Sequence, residues 1–259
     1  MRAAKRGTTA MGETTLVTAQ ALSHAGCQRA DNEDSVPCLN ELGLWAVADG
    51  LGGHCFGAQA SQHITAGLSN MVFDANHTLN QRLDRVADAL ALLSAELEAK
   101  GAQLDPPGVV GSTVAALLVH QQTAGVLWSG DSRVYRFRQG VLQRLTHDHT
   151  VAGRLVKEQG LTQTQAARDP EANNLTQALG VPSFKAEHRA FSLAAGDCFV
   201  VCSDGLTRCV TEAAITQVLQ AHPCSKACAH ALLELALAQG APDNVSIIVV
   251  AAGADVIER

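Results

Sequence analysis

Short apolar runs bounded by turn-forming residues divide the 259-residue chain into predicted strands. The runs are often β-branched or aromatic, which is typical of strands buried on both faces. The six predicted strands cover 44–48, 113–119, 125–128, 134–137, 198–202 and 245–251. The second, third and fourth follow one another with only short turns between them, so we expect them to form an antiparallel meander.

Apolar residues spaced three or four positions apart predict helices elsewhere in the chain. One such stripe consists of Leu83, Val86, Leu90, Leu93 and Leu97. Further helices are predicted over 58–73, from an N-cap at Thr211 to Leu219, and after Pro223 up to a stop at Gly240. Paired helices between groups of antiparallel strands indicate a layered α+β fold rather than a βαβ repeat.

The segment from Thr150 to Gln177 is polar, rich in Gln and weakly helical, and it interrupts the strand pattern. We interpret about 147–177 as a mobile flap. No linker rich in Pro, Gly or Ser divides the chain, so we expect one domain over 13–254. Residues 1–12 are predicted to be a flexible leader, and 255–259 a tail.

Composition and charge argue against several classes of function. The net charge is -6 and no cluster of Lys or Arg stands out, so nucleic acid is not an expected partner. No apolar stretch approaches the roughly 20 residues that cross a bilayer, and no secretory signal is evident. We therefore expect a cytoplasmic protein without a membrane partner. We also expect it to be a monomer. The eight cysteines contain no C-x-x-C pair and are expected to be reduced thiols rather than zinc ligands.

Acidic residues stand at the ends of the predicted strands. Asp49, Asp131 and Asp204 follow strands, whereas Asp243 precedes the last one. If the last two predicted strands pair antiparallel, Asp204 and Asp243 fall at the same end of the sheet, and Asp49 joins them if its strand runs parallel to 198–202. Clustered carboxylates repel one another unless a cation neutralises them, and oxygen ligands favour Mg2+, Mn2+ or Ca2+ over zinc. The alternative interpretation of each single Asp-Gly pair is that it forms a sharp turn and binds no metal.

Arg29, in the segment GCQRADNED, is the candidate phosphate-binding residue. Its planar guanidinium matches the geometry of a phosphate group. The alternative interpretation is a solvated surface turn, because three polar or acidic residues follow closely.

Eight motifs in order resemble the metal-dependent protein phosphatases, the type 2C serine/threonine phosphatases, in their bacterial form. They are G-x-x-R-x-x-N-E-D at 26–34, AVADGLGGH at 46–54, GSTVAALLV at 111–119, GDSRVYRFRQG at 130–140, T-x-D-H at 146–149, LTQALG at 175–180, CSDGLT at 202–207 and DNVSIIVV at 243–250. The resemblance covers about residues 16–251. It implies a four-layer α-β-β-α sandwich, in which helix pairs flank two antiparallel β-sheets.

The resemblance also implies a protein serine/threonine phosphatase that hydrolyses phosphoserine and phosphothreonine with metal-activated water. Two tightly bound Mn2+ or Mg2+ ions would be its cofactors. Asp49 would bridge the two ions, and the Gly50 carbonyl would bind one of them. Asp204 and Asp243 would hold the other. Phosphorylated proteins would be the partners, as targets of a eukaryotic-type Ser/Thr kinase or as the kinase itself.

The remaining implied roles concern residues around this pair of ions. Asp34, together with Glu33, would act through metal-bound waters, and Arg29 would bind the substrate phosphate. Bacterial relatives often hold a third, weaker ion, for which Asp131 and Asp204 would be the ligands here.

The chain departs from the animal and plant members of this family at one position. Those members have a His directly after the metal-binding Asp-Gly, where it is proposed as general acid, whereas this chain has Leu51. His54 is then the nearest candidate for the general acid, with a hydrogen-bonding role in the loop as the alternative. His147 and His149 are interpreted as the start of the flap, with metal binding as the alternative.

Two rival functions remain open. The spacing from Cys202 to Arg208 fits the C-x5-R pattern of cysteine-dependent phosphatases. Asp204 would put a negative charge into the phosphate cradle of such an enzyme, and a thiol buried in an apolar run is inert. The other rival is a non-catalytic phosphoprotein-binding module of the same fold. Loss of a metal-binding aspartate would mark such a module, but Asp49, Asp204 and Asp243 are all present.

Overall fold

Two antiparallel β-sheets face each other in the structure, a computed structural model that describes residues 17–51, 55–223 and 226–253. The first sheet contains, in spatial order, β1 (Val17–His24), β12 (Val245–Ala252), β11 (Asp197–Cys202), β8 (Arg133–Arg138) and β9 (Val141–Arg144). The second contains β10 (Glu187–Ser192), β7 (Thr123–Ser129), β6 (Val114–His120), β4 (Leu44–Leu51) and β2 (Asp34–Ser35). Two short strands, β3 (Cys38–Leu39) and β5 (Gly111–Ser112), also pair with β4.

Helices cover the outer face of each sheet. The second sheet packs against α1 (Cys55–Ser69) and α2 (Leu79–Ala102). The first sheet packs against α5 (Asp204–Cys209), α6 (Glu212–Ala221) and α7 (Lys226–Ala238). Two further helices, α3 (Val151–Gln159) and α4 (Gln163–Ala166), lie between β9 and β10. The predicted four-layer α-β-β-α arrangement is therefore confirmed.

Alternating side chains of the central strands fill two different cores. Trp45 and Val47 of β4 lie in the core between the sheets, whereas Leu44 lies in the core beneath α1 and α2. In β11, Phe199 faces the opposite sheet while Val200 faces the helices. Both faces of these strands are thus apolar, which explains why they form continuous hydrophobic runs in the sequence.

The predicted helices are present, although one of them begins and ends earlier than expected. The apolar stripe lies on α2, where Thr78 and Gln81 form a capping box at the N-terminus. Thr211 caps α6 as predicted, because its hydroxyl accepts a hydrogen bond from the backbone of Ala214. The helix predicted to reach residue 73 ends at Ser69 instead.

The predicted meander is wrong at its third strand. β6 and β7 pair antiparallel, but β8 belongs to the other sheet and pairs with β11 and β9. The chain crosses between the sheets at Gly130, whose φ of 109° suits glycine. A side chain at Gly130 would also clash with Thr113. This crossing places the following residue, Asp131, at the end of the sandwich.

The cysteines of the described residues are not all reduced. Cys198 is disulfide-bonded, so the expectation of reduced thiols is wrong for that residue. Free thiols are present at Cys27, Cys38, Cys202, Cys209 and Cys228.

The predicted leader 1–12, the tail 255–259 and His54 lie outside the described residues. Within the described ranges, none of the helices combines the length and the apolar character needed to cross a bilayer.

Candidate metal centre

Strand ends from both sheets bring most of the predicted site residues to one cavity of about 610 Å3. Asp204 follows β11 and Asp243 precedes β12, and these two strands pair antiparallel, which is the condition for both acids to lie at the same end of the sheet. Asp49 lies on β4 of the opposite sheet, so it reaches the cluster across the gap between the sheets. The cavity is lined, among others, by Arg29, Glu33, Asp49, Gly50, Asp131, Asp204 and Asp243.

Asp34 lies directly opposite Asp49 in the β2–β4 ladder. One oxygen of its buried carboxylate, Oδ2, accepts a hydrogen bond of 2.8 Å from the Ser203 hydroxyl. The other, Oδ1, has no hydrogen-bond partner among the described residues, and the same holds there for Oδ1 of Asp204. Buried oxygens without a partner are costly, and a divalent cation with its waters would satisfy them. The donor set therefore fits Mn2+ or Mg2+.

The acidic cluster retains protons more strongly than ordinary carboxyls do. Burial, reinforced by neighbouring aspartates, raises the pKa of Asp34 to about 6 and that of Asp131 to about 7. The same causes raise the pKa of Asp49 well above its usual range, and burial also raises the pKa of Asp204. A bound cation would stabilise the charged forms and reverse these shifts.

Two guanidinium groups lie at the rim of the acidic cluster. Arg29 Nη2 and Arg208 Nη1 each lie 3.1 Å from Oδ2 of Asp243. Arg208 Nη2 also lies 2.5 Å from Oδ2 of Asp204. The sequence motif predicts Arg29 at this site but gives no such indication for Arg208. The spacing of four residues after Asp204, on a short helix, is the pattern that would have identified it.

Asn244 is a second site residue that was not predicted from the sequence, and it fixes the loop that contains Arg29. Its side-chain oxygen accepts a hydrogen bond from the backbone of Glu33. Its amide group donates to the carbonyls of Ala25 and Asp31, at 2.9 Å each. The loop that follows β1 is thereby held against Asn244, next to the proposed ligand Asp243.

The end of β4 is held by close backbone packing. A side chain on Gly50 would come within 2.2 Å of the Gly57 carbonyl oxygen, so only glycine fits. The Gly50 backbone donates to the Glu33 carbonyl at 3.2 Å, and the Asp49 carbonyl accepts from the Thr113 backbone at 2.8 Å. These contacts fix the end of β4, where the proposed metal ligands Asp49 and Gly50 lie.

The segment predicted as a flap forms one wall of the cavity through residues 173–177. Its start is anchored, because Arg133 makes two hydrogen bonds to the Asp148 carboxylate, of 2.9 and 2.6 Å. Near the end of the segment, the backbone N–H of Thr176 donates to the His149 carbonyl at 2.7 Å. The mobility of the segment stays a prediction.

Cys202 does not lie on the cavity. Its side chain is fully buried in the core beneath the helices, and this burial raises the pKa of the thiol to about 12. Arg208, its proposed partner, is engaged by two carboxylates. The geometry therefore contradicts a cysteine-dependent mechanism, since the buried thiol lies away from the cavity and the guanidinium pairs with aspartates instead.

Comparison with known proteins agrees with this geometry. Residues 24–254 match the family profile described as protein phosphatase 2C. The chain belongs to the protein phosphatase 2C family. It is 36% identical over 251 residues to the serine/threonine protein phosphatase PstP of Mycobacterium tuberculosis. That match covers 96% of this chain but 47% of PstP, so the chain spans about half the length of the first curated relatives it matches.

Solved structures of the family superpose on nearly the whole chain. PppA of Pseudomonas aeruginosa, described as a key regulatory component of T6SS, gives a TM-score of 0.83 at 33% identity, covering 93% of this chain and 99% of PppA. The PstP catalytic domain, in complex with two manganese ions, gives 0.79 at 32% identity, covering 93% and 100%. The predicted type 2C fold and family are thus confirmed.

The raised carboxyl pKa values predict how metal stabilises this phosphatase 2C domain. Between the ordinary aspartate pKa near 4 and the values of about 6 and 7 for Asp34 and Asp131, the folded metal-free protein binds more protons than the unfolded chain. These groups therefore make metal-free folding less favourable as pH rises through that interval. Mn2+ binding releases the protons, so its affinity should increase over the same interval.

We expect a fixed Mn2+ concentration to raise the Tm more at about pH 7.5 than at about pH 5.5, because ligand stabilisation follows affinity. Differential scanning calorimetry with and without Mn2+ measures both shifts. Asp131→Asn, which cannot take up the proton, is the matched variant and should show a weaker pH dependence. Equal shifts at the two pH values would contradict proton release from the cluster.

Proposed function

We propose that this chain is a protein serine/threonine phosphatase that uses two Mn2+ or Mg2+ ions to hydrolyse phosphoserine and phosphothreonine. The observation that supports this most directly is that Asp49, Asp131, Asp204 and Asp243 line one cavity together with two arginines. Relatives from several bacteria bear the name of such a phosphatase, and one PstP structure holds two manganese ions.

Oxygen atoms of the cluster would hold the ions. The proposed ligands of the two tight ions are Asp49, the Gly50 carbonyl, Asp204 and Asp243, with Asp34 and Glu33 acting through water. Asp131 and Asp204 would serve a third, weaker ion. When bound, the ions lower the pKa of water and offset charge on the phosphoryl oxygens.

The protein itself would position the phosphate. Arg29 is half exposed and pairs with Asp243 through a single nitrogen, so it can turn toward an incoming phosphate group at the rim. A water molecule releases one proton to solvent, and its oxygen forms the new bond to phosphorus while the bond to the serine or threonine oxygen breaks. That oxygen receives a proton, for which His54 is the proposed donor. No covalent phosphoenzyme is required.

Phosphorylated proteins are the proposed substrates, in particular the targets of a eukaryotic-type Ser/Thr kinase or that kinase itself. Action as a monomer in the cytoplasm also belongs to this proposal. The competing function, a phosphoprotein-binding module without catalysis, is disfavoured because the cavity contains all three proposed core aspartates.

The first test concerns the cofactor. Because every proposed ligand is an oxygen atom, we expect phosphopeptide hydrolysis with Mn2+ or Mg2+ that excess chelator abolishes and added metal restores. Alkylation of the accessible thiols should leave most activity intact. Full activity in chelator together with complete loss on alkylation would overturn the proposal, whereas metal binding without any hydrolysis would favour the non-catalytic module.

The second test concerns Arg29. Loss of one charged hydrogen-bond donor to phosphate should cost about 1.5–3 kcal/mol of transition-state binding, or roughly 10–150-fold in kcat/KM. We expect Arg29→Ala to show this loss mainly through KM in steady-state kinetics, with the fold retained. Arg85→Ala, on the exposed face of α2, is the matched control and should behave as wild type. Unchanged kinetics for Arg29→Ala would return this residue to a surface role.

The third test separates the core ions from the outer one. Asp49→Asn removes a charge that two cations would share, so metal binding and turnover should both collapse. Asp131→Ala should keep two tight ions, since this residue follows a different strand, yet lose turnover of phosphoprotein. Titration calorimetry with turnover assays measures both. Retention of both ions by Asp49→Asn, or their loss from Asp131→Ala, would show the ligand assignment to be wrong.

A further inference from the structure

A second group of metal-binding side chains lies where the segment 147–177 begins. Nε2 of His147 and Nε2 of His149 each lie 3.2 Å from the same carboxylate oxygen, Oε1 of Glu187 on β10. The three donor atoms all lie within 4.8 Å of one another. None of these residues belongs to the acidic cluster described above.

These separations suit a small tetrahedral ion. Zinc bonds to His nitrogen at about 2.0–2.1 Å and to carboxylate oxygen at about 2.0–2.2 Å, so ligand atoms around it are about 3.3 Å apart. Two of the three separations already have nearly this value. A donor set of two imidazoles and one carboxylate favours zinc over Mg2+ or Mn2+, in contrast to the all-oxygen cluster.

The two imidazole rings are held in place by Trp128. The His149 ring stacks on the indole at a centroid distance of 6.1 Å, and the His147 ring meets it edge-on at 5.1 Å. The indole nitrogen donates to the His147 carbonyl at 2.9 Å. Because their orientation is fixed before any ligand arrives, the two nitrogens lose little freedom on binding.

Lys157 occupies the open side of the group. Its ammonium lies 3.4 Å from His147 Nε2 and 3.5 Å from Glu187 Oε1, which places a positive charge beside the convergent donor atoms. The Lys157 side chain is 62% exposed and lines an adjoining cavity of about 280 Å3. It can therefore turn into solvent, leaving an entry path and a position for a water as fourth ligand.

A metal ion bound to His147, His149 and Glu187 would change the position of Asp131. The Gly130 backbone donates to Nδ1 of His149 at 3.2 Å, so the proton of a neutral His149 is on Nε2. An ion on Nε2 requires that proton to move to Nδ1, where it would face the Gly130 N–H as a second donor. Gly130 must then turn away, and the next residue is the proposed ligand of the third ion.

We propose that His147, His149 and Glu187 form a binding site for Zn2+ or a similar divalent transition metal, and that its occupation displaces the Gly130–Asp131 turn. The binding does not depend on the proposed function. The effect on catalysis does depend on it.

The binding test uses the full chain saturated with Mn2+ and titrated with Co2+, a coloured substitute for zinc. We expect one equivalent of Co2+ to give the intense visible absorption of a tetrahedral site and to quench the emission of Trp128, and Zn2+ to reverse both. His147→Gln and Glu187→Gln, checked for folding by Tm, should each weaken this binding by more than about 10-fold.

His63→Gln is the matched control. His63 Nε2 contacts Glu96 at 2.7 Å, so it presents an exposed His–Glu pair, and among the described residues no third metal-binding side chain joins it. It should bind Co2+ as the wild type does. Absence of the tetrahedral absorption, or its persistence in His147→Gln and Glu187→Gln, would overturn the site and assign any Co2+ bound to the acidic cluster.

The coupling test measures phosphopeptide hydrolysis in excess Mn2+ with increasing Zn2+. We expect wild type and His63→Gln to lose activity several-fold as the tetrahedral site fills, and Glu187→Gln to resist the same Zn2+ concentrations. Equal inhibition of all three proteins would overturn the coupling, because Zn2+ would then act at the acidic cluster. A protein inactive without Zn2+ but still coloured by Co2+ would overturn the proposed function and leave the new site standing.

Discussion

Repulsion between buried carboxylates is the constraint on which the rest of this structure depends. Asp34 and Asp49 lie directly opposite each other in a β ladder, an arrangement that destabilises like charges. Burial raises the pKa of both, and the aspartates of the other sheet raise them further. Such a cluster can persist only where the surrounding fold is stable without it, and where a cation is available to reverse the cost.

The surrounding fold meets this requirement by taking the acids from both sheets. Asp49 comes from the second sheet, whereas Asp204 and Asp243 come from neighbouring strands of the first. The cluster therefore exists only once the core between the sheets has formed, in which Trp45 and Phe199 are fully buried. Formation of the apolar core brings the aspartates of the two sheets together. The loops at the strand ends then set the final positions of these aspartates, and contacts of Asn244 and Gly50 hold the loops in place.

The sequence predicted the parts of this arrangement that have a local pattern. The central strands form continuous apolar runs, the long helices carry a periodic apolar stripe, and the acids at strand ends follow from turn chemistry. Three features lacked such a pattern. The edge strands β1, β9 and β10 are only partly buried, so their apolar content is weak. The passage of the chain to the other sheet at Gly130 depends on tertiary packing, and Asn244 acts through backbone groups that are distant in sequence.

The chance C-x5-R spacing shows why spacing alone misleads near a strand end. Cys202 is the last residue of β11, and its parity along the strand directs it to the core beneath the helices. Two residues later the chain enters α5, where helical spacing applies and Arg208 lies one turn beyond Asp204. The change of period between the two elements separates the thiol from the guanidinium. The same change sets Asp204 and Arg208 side by side at the cavity, where charge rather than a thiol determines the chemistry.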